Sequence, residues 1–180
     1  MSEFIEKYSV DEKILGILRI TLGFIFLWAF LDKMFGLGFG TSPANAWIAG
    51  ASPTKGFLQI YGINQNSPFA FIFTDGLGSF YQLVDIAYMG MLLFAGIGLM
   101  TGIFVRLSSI STIIFLASVY LGEWMINPAA GTVSFNPLID EHIIYILILG
   151  LFLIIPVGNY LGLGKKWSEL SFVQKFPILK

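Results

Sequence analysis

The stretch VDEKILGILRITLGFIFLWAFL, residues 10–31, decides the fold. After its first charged turn it runs to Leu31 with Arg19 as the lone ionisable residue. About 20 apolar residues suffice for a helix to cross the hydrocarbon core of a bilayer. Ser9 and Glu12 have the S-x-x-E spacing of a capping box, with Ser9 as N-cap. A signal peptide does not fit, because the apolar run starts late, contains Arg19 and lacks a small-residue cleavage site. The stretch therefore predicts a first transmembrane helix.

Three more spans are expected, at 79–104, 107–125 and 137–156. Only Val105-Arg106 separates the second from the third, which predicts a tight antiparallel hairpin. Asn127-Pro128 stops the third. Asn136-Pro137 starts the fourth as N-cap plus Pro at the first helical position. Composition agrees: 56% of the 180 residues are hydrophobic and 12% are charged, against roughly 25% in soluble domains. The expected fold is all-α, a single polytopic domain (1–180) forming an antiparallel four-helix transmembrane bundle. Residues 32–78 form a long, partly helical outer loop.

Basic residues orient the bundle. Lys7, Lys13, Arg19, Arg106, Lys165, Lys166, Lys175 and Lys180 lie on one side, and Lys33 and Lys55 on the other. The positive-inside rule predicts a multi-pass protein of the plasma (cell) membrane with both termini cytoplasmic. In the outer loop, Ser42-Pro43 and Ser52-Pro53 read as short helix starts, and Gly50 as the end of the first. This loop is rich in Trp, Phe and Ile, and either lies on the outer membrane surface or packs over the bundle. Trp28, Trp124 and Trp167 read as interfacial anchors. Arg19 is placed to snorkel and Arg106 to cap the hairpin turn.

Several functions are excluded or weakened. A net charge of −1 offers no field for nucleic acid. With no cysteine and one histidine, the chain alone holds no haem, iron–sulfur cluster or metal. Gly36-x-Gly38-x-Gly40 lacks the strand and helix of a dinucleotide fold. Gly98 with Gly102, and Gly158 with Gly162, are G-x-x-x-G steps that let helices approach closely. They suit intrachain packing first and a homo-oligomer second.

Ionisable residues inside membrane spans are functional candidates because burying them is costly. Here they gather at outer-leaflet depth: Asp32 and Lys33, Asp85, Glu123, then Asp140, Glu141 and His142. Tyr81, Asp85 and Tyr88 share a helix face, and Glu141 precedes Tyr145 by four residues. Lys33 is expected to contact an acidic side chain, Asp85 first. A quinone head group needs donors for its two carbonyls, which Tyr, His and Lys supply, and carboxylates to exchange its protons. The expected catalytic residues are Asp85, Glu123 and His142. Lys33, Tyr81, Tyr88, Glu141 and Tyr145 are the expected quinone-binding residues. The quinone would be held non-covalently. The same cluster also has a structural explanation: charges neutralising each other at the headgroup boundary, and acids favouring a helix N-terminus.

The run Leu18-Arg19-Ile20-Thr21-Leu22-Gly23-Phe24, continuing through Trp28 to Asp32-Lys33, resembles the first helix of the DoxX/DoxD membrane family. Gly98-Leu99-Met100-Thr101-Gly102 with Arg106 resembles that family's next motif. Pro43-Ala44-Asn45-Ala46-Trp47-Ile48-Ala49-Gly50, then Ser52-Pro53, is similar to the DoxD branch. The resemblance implies a four-helix membrane subunit of a thiosulfate:quinone oxidoreductase type, working with a second redox subunit. It also implies that Asp85 matches an acidic residue of the family's second helix, with Asp in place of Glu. The competing expectation is a non-catalytic accessory subunit that anchors or stabilises a larger respiratory membrane complex. Membrane lipid is a partner in both.

Overall fold

A computed structural model describes residues 11–55, 58, 71–72, 80–123 and 139–179. The described residues are helical, with no strand among them. Four longer helices follow in order: α1 (Glu12–Phe35), α2 (Tyr81–Thr101), α3 (Val105–Glu123) and α4 (Glu141–Ile154). Short helices α5 (Gly164–Ser168) and α6 (Ser171–Lys175) come after them, and 3-10 turns occupy Pro43–Asn45, Trp47–Ala49, Val157–Asn159 and Pro177–Leu179. Three helices are long and apolar enough to cross a membrane: α1, α2 and the Val105–Gly122 part of α3. Helix α4 is as apolar but has 14 residues.

The ends of the helices differ from the sequence expectation for local reasons. The second span ends at Thr101 rather than 104 and the third begins at Val105 rather than 107. The turn is therefore 102–104, and Arg106 lies in the first turn of α3. Gly102 stops α2 at φ +80°, and its missing side chain is required twice, because a Cβ there would lie 2.6 Å from Gly158 O. Phe104 also has positive φ. The N-cap of α4 is Asp140, whose Oδ1 accepts from the N–H of His142 (3.0 Å) and Ile143 (3.4 Å). Helix α1 starts at Glu12 and is capped by Asp11 rather than Ser9, the Asp11 Oδ1 accepting from Lys13 N–H at 2.7 Å. Ser9 itself, Asn127-Pro128 and Asn136-Pro137 lie outside the described residues. The turn that starts at Pro43 ends at Asn45, because Ala46 is extended, and Gly50 ends a second turn, Trp47–Ala49, rather than the first.

Residue contacts divide the chain into two compact units. The first comprises Met1–Trp28, Met91–Ile113 and Ile148–Lys180. Small residues bring its backbones together. A Cβ on Gly23 would fall 2.7 Å from Met100 N, one on Gly96 the same distance from Leu27 Cβ, and one on Gly16 2.8 Å from Tyr160 O. In lipid, where no hydrophobic force joins helices, such close approach is what holds them. Ser108 Oγ fills the space in front of Gly98. The hydroxyls of Ser108 and Ser109 are buried with no hydrogen-bond partner among the described residues.

Arg19 is the organising side chain of this unit. It does not snorkel, being 0% exposed. Its Nε–H donates to Val157 O (3.1 Å), Nη1 to Leu99 O and Met100 O (3.0 Å), and Nη2 to Tyr160 O (2.9 Å) and Leu161 O (3.2 Å). Five N–H donors thus meet five carbonyls. Leu99 and Met100 belong to the last turn of α2, whose carbonyls have no partner within the helix and form the negative end of its dipole. Beyond the spans, Tyr160 has its phenol pushed up by burial first and by the Glu12 carboxylate second.

The second unit comprises Ala29–Gly90 and Ile114–Leu147. Its described part holds the end of α1, the two 3-10 turns of the following loop, the start of α2, the end of α3 and the start of α4. Asp32 is buried, and its carboxylate accepts from the N–H of Phe39 (3.2 Å) and Gly40 (2.9 Å). It folds the Gly-rich segment after α1 back onto the helix end.

Candidate functional site

The second unit contains a polar set built around Asp85. This residue lies one turn into α2 and is 4% exposed. Ser52 Oγ (2.9 Å), Thr54 N–H (3.0 Å) and Thr54 Oγ1 (2.6 Å) all donate to its Oδ1. Ser52 Oγ also accepts from Lys55 N–H at 3.0 Å, fixing the turn that presents these donors. Three bonds therefore converge on one carboxylate oxygen. Among the described residues, none reaches Oδ2. A carboxylate oxygen carries two lone pairs, so among the described residues Oδ2 has acceptor capacity that Oδ1 has already used.

One residue further along the same turn, Lys55 places its Nζ 4.9 Å from the centre of the Tyr81 ring, a cation–π distance. Tyr81 opens α2, four residues before Asp85, and shares its face. The set is thus a buried carboxylate, two hydroxyls, an ammonium and a phenol, brought together by one loop turn and the first turns of one helix.

The remaining expected site residues have other placements. Lys33 makes no ion pair with Asp85, because the hydroxyls and amide of the loop hold that carboxylate instead. Tyr88 stacks on Phe115 of α3, ring centres 5.2 Å apart. His142 Nδ1 lies 2.9 Å from Asp140 Oδ2, so the N-cap carboxylate of α4 also orients the imidazole. Glu141 is exposed in the first turn of α4 and Tyr145 lies one turn on, partly buried. Glu123 is the last residue of α3. Among the described residues, no group of three or more His, Asp or Glu is arranged to hold a metal ion.

An open cleft of about 250 Å³ lies in the first unit, walled by Val105, Arg106, Phe152, Pro156, Asn159 and Ser168. None of the expected site residues lines it. Arg106 does not cap the hairpin turn; its Nη1 donates to Pro177 O at 3.3 Å.

Ser52, Thr54 and Lys55 were not among the residues expected at the site. Ser52-Pro53 carries a helix-start signal, which the Ser52 Oγ to Lys55 N–H bond bears out. Nothing local shows that the same turn meets a carboxylate more than 30 positions away. Comparison with protein-family models, with curated proteins and with solved structures gives no match, so the resemblance to DoxX/DoxD proteins rests on the quoted motifs alone.

Proposed function

We propose that the chain is a multi-pass subunit of the plasma membrane with a quinone-class site around Asp85, working with a second redox subunit. In this proposal α1 to α4 form an antiparallel four-helix bundle, the chain between Phe35 and Tyr81, rather than from residue 32, forms its outer loop, and both termini are cytoplasmic. The observation that carries it is the half-used carboxylate: Asp85 Oδ1 takes three bonds and Oδ2 none among the described residues. Lys55 Nζ and the Tyr81 hydroxyl are donors for a quinone carbonyl, and Oδ2 is an acceptor for the hydroxyl of the quinol. Reduction of a quinone takes two electrons and two protons. The electrons come from the partner, since the chain has no cysteine and a single histidine. The protons pass through carboxylates such as Asp85, with His142 as a second exchanging group. The family resemblance adds a sulfur oxyanion such as thiosulfate as the class of electron donor.

The test is lipid extraction and mass spectrometry of the assembly purified in native lipid. A quinone is expected at close to one per chain. Lys55→Met and Tyr81→Phe are expected to lower its retention at least fivefold while insertion stays normal. A quinone-free assembly, or unchanged retention in both variants, overturns the site.

A second reading, the non-catalytic accessory subunit, is favoured by one observation. The three bonds to Asp85 tie the loop to α2 and need no ligand to justify them. Co-purification with a larger respiratory complex, without quinone, is its expected signature.

A further inference from the structure

Residues 157–180, VGNYLGLGKKWSELSFVQKFPILK, contain four lysines and a single acid, Glu169. In the structure this segment is tied to the ends of the apolar helices. Leu163 N–H donates to Thr101 O at 2.8 Å. The Trp167 ring lies 4.6 Å from that of Phe104, in the turn between α2 and α3, and its Nε1–H donates to Leu179 O at 2.6 Å. Arg106 holds Pro177 O, and Val173 is fully buried. Beyond these contacts much of the segment is exposed, although Phe172 also meets the Trp167 ring edge-on at 5.3 Å. Leu163, Leu170, Phe172, Phe176 and Ile178 are exposed, Phe176 to 59%. Lys165, Lys166 and Lys175 are exposed among them.

We infer that residues 161–179 form a platform that lies in the headgroup layer of the bilayer and binds anionic phospholipid. Two physical considerations select this partner. Large apolar side chains interleaved with lysine are the composition of interfacial segments, whose rings and aliphatic chains enter the acyl boundary while the ammonium groups meet phosphates. Protein–protein interfaces, in contrast, are depleted of lysine at their core. The tethers to Thr101, Phe104 and Arg106 hold the platform at the ends of two helices long enough to span, so it is already at membrane level. The inference rests on the membrane reading above but not on the quinone site.

The chain has no cysteine, so a nitroxide on Ile178→Cys is a unique probe. The purified protein is placed in nanodiscs of phosphatidylcholine alone or with phosphatidylglycerol, and the label's access to dissolved oxygen and to a water-soluble nickel chelate is measured. Access to the chelate is expected to fall at least threefold in the anionic discs while access to oxygen rises. Changing Lys165, Lys166 and Lys175 together to Gln should abolish that lipid dependence. The expected loss in the docked-to-undocked ratio is on the order of 100-fold. All three lysines are exposed, so the fold should survive, with helix content as the check. Equal chelate access in both lipids overturns the platform, as does lipid dependence that ignores the lysines. Burial of the label only when other membrane proteins are added overturns it in favour of a protein partner. Labelling of Ile178→Cys by an impermeant maleimide from outside intact cells would instead refute the cytoplasmic orientation, leaving the disc result standing.

Discussion

Arg19 in the first unit and Asp85 in the second face the same problem, a formal charge with almost no access to solvent. Among the described residues, neither meets a counter-charge. Arg19 spends all five donors on backbone carbonyls. Asp85 collects two hydroxyls and one amide, all on one oxygen. The cation is saturated, whereas the second oxygen of the anion has no partner among the described residues. A saturated charge has no valence left for a ligand and acts as a structural joint, whereas a half-used one keeps capacity for a proton or a donor. Buried charge alone therefore does not distinguish a joint from a site.

The strongest way to break this contrast is at Arg19. Arg19→Gln is expected to cost about 3 kcal/mol or more of stability, because it removes charged hydrogen bonds worth about 1.5–3 kcal/mol each and leaves buried carbonyls unpaired. Arg19→Lys keeps the charge but has three donors on one atom, and should recover less than half of the loss. Detergent-based unfolding curves read both. Full recovery with Lys would mean that charge at the end of α2 matters and the planar fork does not.

Gly102 is the next test, because the carbonyl cage depends on the helix ends meeting there. Gly102→Ala combines a strained φ of +80° with a clash against Gly158 O, and should cost about 2 kcal/mol. An unchanged unfolding midpoint would show that the α2–α3 turn yields without disturbing Arg19.

Asp85 should respond less than Arg19, since it loses three hydrogen bonds rather than five. Asp85→Ala is expected to cost about 2 kcal/mol and Asp85→Asn about 1 kcal/mol. Combining Asp85→Asn with Thr54→Val should be non-additive, because the two share a bond, while combining it with Lys33→Met should be additive. Coupling to Lys33 and none to Thr54 would restore the ion pair anticipated from sequence and remove the basis for a free Oδ2.

The smallest effect is expected at the start of α4. Asp140→Ala loses the cap and should cost about 1 kcal/mol, whereas Asp140→Asn keeps a capping oxygen and should stay within a few tenths. A large loss in the Asn variant would show that the carboxylate matters through His142 rather than through the cap.

How much of this was legible beforehand follows from the range of each interaction. The three spanning helices could be read directly, because hydropathy is a local property of 20 or so neighbouring residues. Gly50 as a turn end was legible for the same reason. The helix ends at 101, 105 and 141 were less so. A glycine in an apolar run looks like any packing glycine until Gly158 is seen opposite it, and Asp140 competes with the Asn136-Pro137 signal a few residues earlier. At the polar set, Tyr81 and Asp85 could be picked out by spacing along one helix, but Ser52, Thr54 and Lys55 could not.

The sequence by itself therefore determined the class of the protein: helical, apolar, with few charges and those few conspicuous. Tertiary structure decided what each buried charge does. Backbone carbonyls and amides are present at every residue and leave no signature in the sequence. Only the folded chain shows which five close on Arg19, and which oxygen of Asp85 the loop takes up.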